Sequence, residues 1–312
     1  MTDELIRSWI FSSGNKDQID FNESLLRFLG EWHYFEYQPF PEKGNFWERL
    51  GSWLKEIPDC DTKTEDQQAL FNAVPRLLFA AEGDLISMYR AAYEGPILRW
   101  LLDTENLSLD ESDLQTKIAN AKHETWFGSL AGMDINTFCR VNEIYGQSFR
   151  PEFRFVTKFC STKKLSNWLK VKKYSKIVVV EDMIGTGDQL KEAISSLTRL
   201  KEFQILLVPL FIAPAGWTVA KKLMKYKRNK HIKCTPMVIL PDACLIQDTP
   251  HPQEGDEITE LREVIQRHDY GRLGWGNKYG TLMLSYLNCP DNVPPIIHTS
   301  YKNSLFPRAY RE

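Results

Sequence analysis

Two adjacent carboxylates, Glu181 and Asp182, precede Gly185, Thr186 and Gly187 by only a few residues in the stretch KIVVVEDMIGTGDQL, residues 176–190. An acid pair accepts hydrogen bonds from the hydroxyls of a diol. Backbone amides in a glycine turn that opens a helix hold a phosphate through their unpaired N–H groups and the positive end of the helix dipole. A ribose 5-phosphate offers both partners at once.

The elements around this stretch must bring the two features together. Ile177, Val178, Val179 and Val180 form a β-branched run that is too short for a helix and apolar on both faces, as a central strand of a parallel sheet should be. The acids then stand at the strand's carboxyl end, where open α/β sheets bind ligands. A dinucleotide site would need three glycines in a G-x-G-x-x-G frame and a P-loop would need Gly-Lys-Ser/Thr; the stretch has neither. The plainer alternative is a buried strand followed by an ordinary turn. Two acids and a Thr-Gly at fixed offsets narrow that field.

The flanking pattern alternates strand and helix. Trp126 to Leu130 reads as a strand, Gly132-Met133-Asp134 as a turn and cap, and Ile135 to Ile144 as a helix. After the acid stretch come a helix over 188–200, a buried strand over 203–212, a helix over 216–226 and a strand over 234–240. Pro209 removes one ladder donor and predicts a bulge or an edge position. This order predicts an α/β fold with a doubly wound, mainly parallel sheet and right-handed crossovers.

Upstream, residues 1–83 read as an all-α extension and residues 84–312 as the α/β domain with its loop-rich C-terminal segment. Trp47, Leu50, Trp53 and Leu54 share a helix face after the cap Asn45. Thr64-x-x-Gln67 predicts a capping box, and Pro75 a break soon after it. Trp9, Trp32, Trp47 and Trp53 are read as core or interface anchors rather than base-stacking groups. Residues 84–102 continue as a helix kinked at Pro96. Downstream, 241–255 reads as loop, 256–268 as helix, and 281–287 as strand.

At 312 residues, 43% hydrophobic and 26% charged, the chain has the composition of an ordinary globular protein. A net charge of -2 gives no global attraction to nucleic acid or an anionic membrane. The six cysteines, Cys60, Cys139, Cys160, Cys234, Cys244 and Cys289, have no C-x-x-C pairing and suggest reduced thiols in a cytoplasmic protein. The N-terminus lacks a signal-peptide pattern, and the longest apolar run, 205–215, is too short to span a bilayer. No membrane partner is expected.

Val180-Glu181-Asp182-Met183-Ile184-Gly185-Thr186-Gly187 resembles the phosphoribosyl pyrophosphate motif of type I phosphoribosyltransferases, closest to their hypoxanthine-guanine branch. The resemblance implies a sheet of the phosphoribosyltransferase type and a phosphoribosyl pyrophosphate or nucleotide partner. It implies that Glu181 and Asp182 face the ribose hydroxyls. Gly185, Thr186, Gly187, Asp188 and Gln189 would wrap the 5-phosphate, and Mg would be held indirectly at Asp182 through ribose or water. It also makes residues 129–134 the candidate pyrophosphate loop. Residues 149–158, FRPEFRFVTK, become a ribbon from which Arg150, Arg154 and Lys158 meet the pyrophosphate. An exposed hairpin with solvated charges is the equal alternative. Gly185 stands where the salvage branch has an aspartate acting on the base, which points away from purine salvage by that route.

The stretch of residues 289–308, CPDNVPPIIHTSYKNSLFPR, resembles the C-terminal end of a divergent branch found in bacterial conflict systems, including retron-type antiphage modules. That branch also has acid-acid, two apolar residues, Gly-Ser/Thr-Gly, one variable residue and Gln, which residues 181–189 reproduce. The resemblance implies a toxic effector that transfers or hydrolyses a ribosyl group. Its alternatives are an inactive nucleotide-binding sensor and a nucleoprotein-assembly subunit, and an oligomer is compatible with each.

Residues 221–233, KKLMKYKRNKHIK, hold seven Lys or Arg residues and no acid. This is either a solvated helix end or a phosphate-backbone contact with Tyr226 as a stacking group. His251 and His298 lack metal-ligand spacing and are read as structural or exposed.

Overall fold

The structure is a computed structural model and describes residues 3–11, 16–28, 30, 34–39, 45–58, 60–130, 133–147, 153, 162–248, 255–269, 271–274, 279–287, 289–290, 292–298 and 303–307. The chain divides into two compact units: Met1–Asp84 with Pro241–Glu312, and Leu85–Leu240. The described strands are β1 (Leu78–Ala80), β2 (Thr125–Ser129), β3 (Lys176–Ile184), β4 (Gln204–Ile212), β5 (Ile232–Cys234), β6 (Val238–Ile239), β7 (Leu245–Gln247), β8 (Tyr279–Thr281) and β9 (Met283–Ser285).

The unit Leu85–Leu240 is built on a parallel sheet of order β2-β3-β4-β5, with β6 also pairing β4. The fold class read from the sequence is the one observed: a mixed α/β fold with a mainly parallel central sheet. Trp126, Ile177, Ile205 and Ile232 are aligned by register and share a face. They join a core with Leu165, Leu169, Leu190, Ile194, Leu197 and Ala220, from helices Thr162–Val171, Asp188–Leu197 and Pro214–Met224. The strand order runs one way, so same-handed crossovers put all three helices on that side. On the opposite face Phe127 meets Tyr93 and Phe138, from the helical segments on either side of β2. Both faces of β3 are therefore covered, which explains a run with no polar residue between Ile177 and Val180.

Pro209 is a correction. It sits neither on an edge nor in a bulge but in register with Glu181 inside β4. Its missing donor faces the side where the neighbouring strand is interrupted, between β5 and β6. There the expected strand over 234–240 is split at Pro236, while the Thr235 and Met237 amides still donate to Leu207 and Pro209 at 2.9 Å each. Pro209 thus lacks its donor where β5 has ended and β6 has not begun, while the nitrogen of Pro236, between the Thr235 and Met237 amides, faces away from β4. At the other end of β3, Lys176 is 3% exposed, with its ammonium against Glu105 and 3.5 Å from Glu124.

The helices of the other unit follow the sequence closely, with one exception. Asn45 caps helix Phe46–Lys55 by accepting the Trp47 N–H at 2.9 Å. Trp53 is buried and donates its indole N–H to Ile296 O at 2.9 Å, Trp9 is buried, and Trp47 is half-buried; Trp32 lies outside the described residues. The capping box at Thr64 is not formed. Helix Lys63–Ala73 begins two residues earlier, with Thr62 at the cap position, and the Gln67 amide instead donates to Leu54 O at 2.9 Å, a tertiary contact that outcompetes the local one. Pro75 ends this helix in a short 3-10 turn; in the unit Leu85–Leu240, Pro96 lies in a π-helical segment between helices Glu82–Ala92 and Leu98–Glu105.

Residues 241–312, expected to continue the α/β domain, are grouped with the N-terminal unit. Their expected strand over 281–287 is two strands. β8 pairs antiparallel with β7, and β9 pairs parallel with β1, the chain changing sheets at Leu282. Among the described cysteines, Cys139 and Cys289 are buried, Cys60 is exposed, and none forms a disulfide. Burial pushes the Cys234 thiol up to about 12. Among the described residues no helix is long and apolar enough to cross a membrane.

Candidate functional site

Glu181 and Asp182 are the sixth and seventh residues of β3 and, by the period of a strand, point to opposite faces of the sheet. Glu181 shares the face of Ile177 and Val179 and is 3% exposed. Its Oε2 accepts the backbone N–H of Leu130 at 3.0 Å, which fastens the strand end to the segment following β2. Asp182 is half-buried, and its Oδ1 accepts the N–H of Met183 at 2.7 Å. The pair thus comprises one enclosed carboxylate and one that reaches solvent. An oxygen-donor carboxylate open to water suits a cation held through water molecules, as Mg is commonly held; of the two, Asp182 fits that role.

Gly185, Thr186 and Gly187 form the turn between β3 and helix Asp188–Leu197. Gly187 has φ +83°, a left-handed conformation that L side chains rarely adopt. A Cβ there would also approach Val219 Cβ to 3.0 Å. The turn is pressed from outside as well: a Cβ on Gly216 would lie 2.5 Å from the carbonyl oxygen of Gly185. The Ala213 N–H donates to Ile184 O at 2.8 Å, so the start of helix Pro214–Met224 is laced to the end of β3. Gly216, Val219 and Leu130 therefore shape the site, although none stands out in the sequence. Only the Ala-Pro-Ala-Gly opening of a helix directly after a buried strand hints that a backbone must come close there.

Thr186 is half-buried. Its hydroxyl donates to Asp188 Oδ2 at 2.9 Å and receives the Asp188 N–H at 3.4 Å. The other carboxylate oxygen of Asp188 accepts from Lys191 Nζ at 2.7 Å. Asp188 is thus exposed and turned along its own helix, and the hydrogen bonds from Lys191 and then Thr186 hold its carboxyl below the usual aspartate value. Its negative charge in the first helical turn complements the dipole there. Gln189 follows in the same turn, among the backbone amides that have no intrahelical acceptor.

The remaining sequence candidates fall elsewhere. Of residues 129–134, Ser129, Leu130 and Met133 are buried, and Asp134 caps helix Ile135–Val141, accepting the Asn136 and Thr137 N–H groups at 3.1 and 3.2 Å. Arg150, Arg154 and Lys158 lie outside the described residues, as do Cys160 and His251. His298 is buried on the short helix Pro295–His298 and donates from Nε2 to Val293 O at 3.0 Å, a structural role. All seven basic side chains between 221 and 233 are exposed. Tyr226 beside them is 44% exposed, with the Arg228 guanidinium 5.5 Å from its ring centroid.

A family model designated PRTase-CE matches residues 50–308. No curated protein and no solved structure matches the chain.

Proposed function

The chain belongs to the phosphoribosyltransferase-like family PRTase-CE, and from that membership we propose that it binds a ribose 5-phosphate compound with Mg and cleaves or transfers its ribosyl group. One observation carries the reading. β3 presents Glu181 and Asp182 and passes, through a turn held left-handed at Gly187, straight into the first amides of helix Asp188–Leu197. A diol then has an acceptor in Asp182, and a phosphate has donors in the amides that follow it along the chain.

In this reading Asp182 accepts from a ribose hydroxyl and holds the water shell of the cation, while Glu181, fixed by Leu130, keeps the strand end in place. The amides of residues 185–189 take the 5-phosphate, with the Thr186 hydroxyl swinging from Asp188 onto a phosphate oxygen. The bond from C1 of the ribose to the pyrophosphate oxygen breaks with its electron pair leaving on pyrophosphate, and an acceptor or water forms the new bond to C1. The Asp182 carboxylate helps to spread the positive charge that develops on the ring. Bound Mg supplies charge neutralisation for the departing pyrophosphate.

The biological setting we propose is an effector of a bacterial antiphage system of the retron type. The spacing of residues 181–189 and the proline-rich 289–308 segment support it. A second reading, an inactive nucleotide sensor or a nucleoprotein subunit, is favoured by Gly185 in place of a base-side acid and by the exposed basic run with Tyr226.

Calorimetry with phosphoribosyl pyrophosphate and Mg, followed by an assay for released pyrophosphate, separates the readings. Binding with release supports transfer or hydrolysis, binding without release supports the sensor, and no binding overturns both. A nucleic acid that co-purifies and is shed at high salt would mark the assembly role.

A further inference from the structure

In the unit formed by Met1–Asp84 and Pro241–Glu312, three residues of metal-ligating type converge from distant parts of the sequence. Cys60 precedes helix Lys63–Ala73, Asp66 lies in its first turn, and His268 ends helix Asp256–His268. One ligand atom from each lies within 4.8 Å of the other two. Asp66 is fully buried, and its Oδ2 is the meeting point: His268 Nε2 lies at 2.6 Å, Thr62 Oγ1 at 2.9 Å and Cys60 Sγ at 4.0 Å. Its other oxygen is held by the Arg267 guanidinium.

We propose that Cys60, Asp66 and His268 form a site for a borderline-soft divalent cation, zinc by its chemistry, that pins the start of helix Lys63–Ala73 to the end of helix Asp256–His268. The donor set argues for zinc. A thiolate, an imidazole nitrogen and a carboxylate oxygen are its usual ligands, whereas Mg and Ca take oxygen alone. The cation would replace the proton between His268 Nε2 and Asp66 Oδ2. With metal-to-ligand distances of about 2.0–2.2 Å, that pair opens by under about 1 Å to reach tetrahedral separation.

Arg267 stays on the outer oxygen and orients the carboxylate, as outer-shell partners of metal ligands do. Cys60 is exposed, so the site has an entry path, and its fourth position falls to water or to the Thr62 hydroxyl. The three ligands come from positions 60, 66 and 268, so binding would join both ends of the chain. It would raise the stability of this unit by mass action.

The test uses the full-length protein stripped with a chelator and titrated with Co²⁺ as a spectroscopic substitute, then with Zn²⁺ in competition. One equivalent of Co²⁺ giving tetrahedral d–d bands and a thiolate-to-cobalt charge-transfer band, displaced by Zn²⁺, is expected. Cys60→Ser should lose the charge-transfer band, and His268→Gln should weaken binding at least about 10-fold. The exposed Cys60 makes its variant safe for folding, and circular dichroism checks both. Absence of the charge-transfer band in the wild type, or its survival in Cys60→Ser, overturns the proposal. The outcome is independent of pyrophosphate release.

Discussion

The two ends of β3 solve the same problem, charge at the rim of an apolar sheet, in opposite ways. At the amino end Lys176 is 3% exposed and lies between Glu105 and Glu124, so the charge is compensated by side chains of the protein itself. At the carboxyl end Glu181 is equally enclosed but takes a neutral backbone N–H from Leu130, and Asp182 beside it reaches solvent. The first arrangement is a lock. The second sets one enclosed and one half-buried carboxylate just ahead of a glycine turn, each accepting a backbone N–H.

The comparison breaks most sharply at the amino end. Replacing Glu105→Gln and Glu124→Gln together strands a buried ammonium and should cost about 3–5 kcal/mol, read as a lowered urea midpoint. Pyrophosphate release measured below that midpoint should be unchanged. At the carboxyl end the expected effect has the opposite signature. Asp182→Asn should reduce Mg-dependent release by about 10²–10³-fold while leaving the urea midpoint in place, and full activity in this variant would remove Asp182 from the chemistry.

Gly187→Ala tests whether the turn, rather than the acids alone, defines the site. A left-handed alanine with its Cβ against Val219 should cost about 1–3 kcal/mol and weaken binding of phosphoribosyl pyrophosphate in calorimetry. Binding at wild-type strength would mean that the turn is only a connector.

The smallest effect concerns Asp188. Its folded carboxyl is held below the ordinary aspartate value by Lys191 and Thr186. The stabilisation is therefore complete above the ordinary value and disappears as the pH falls through the lowered one. Lys191→Met should remove most of this acid-side dependence. For so exposed a pair the change is at most about 0.5 kcal/mol, visible as a small convergence of urea midpoints at low pH and absent at high salt.

Much of the fold could be read locally. The β-branched run of β3, the caps at Asn45 and Asp134, and helix Asp256–His268 to the residue all follow from contacts within a few positions along the chain. Misreadings arose where a distant partner intervened. Gln67 left a local cap for Leu54 O, Pro209 sits opposite the break between β5 and β6, and residues 281–287 divided between two sheets. The acid pair and the turn were legible as a motif. That they sit beside Leu130, Gly216 and Val219 was not, because those contacts depend on strand register and helix placement.

The sequence by itself determined the order strand, acid pair, glycine turn, helix, because side-chain branching, apolar periodicity and the special conformations open to glycine act over a few residues. Only the tertiary structure decided that Glu181 is anchored by Leu130 while Asp182 reaches solvent. It alone placed Asp66 with His268, 202 positions apart, and grouped residues 241–312 with the N-terminal unit. Those outcomes depend on long-range burial and ladder pairing, in which residues far apart in the chain compete for the same partners, and no local pattern encodes the winner.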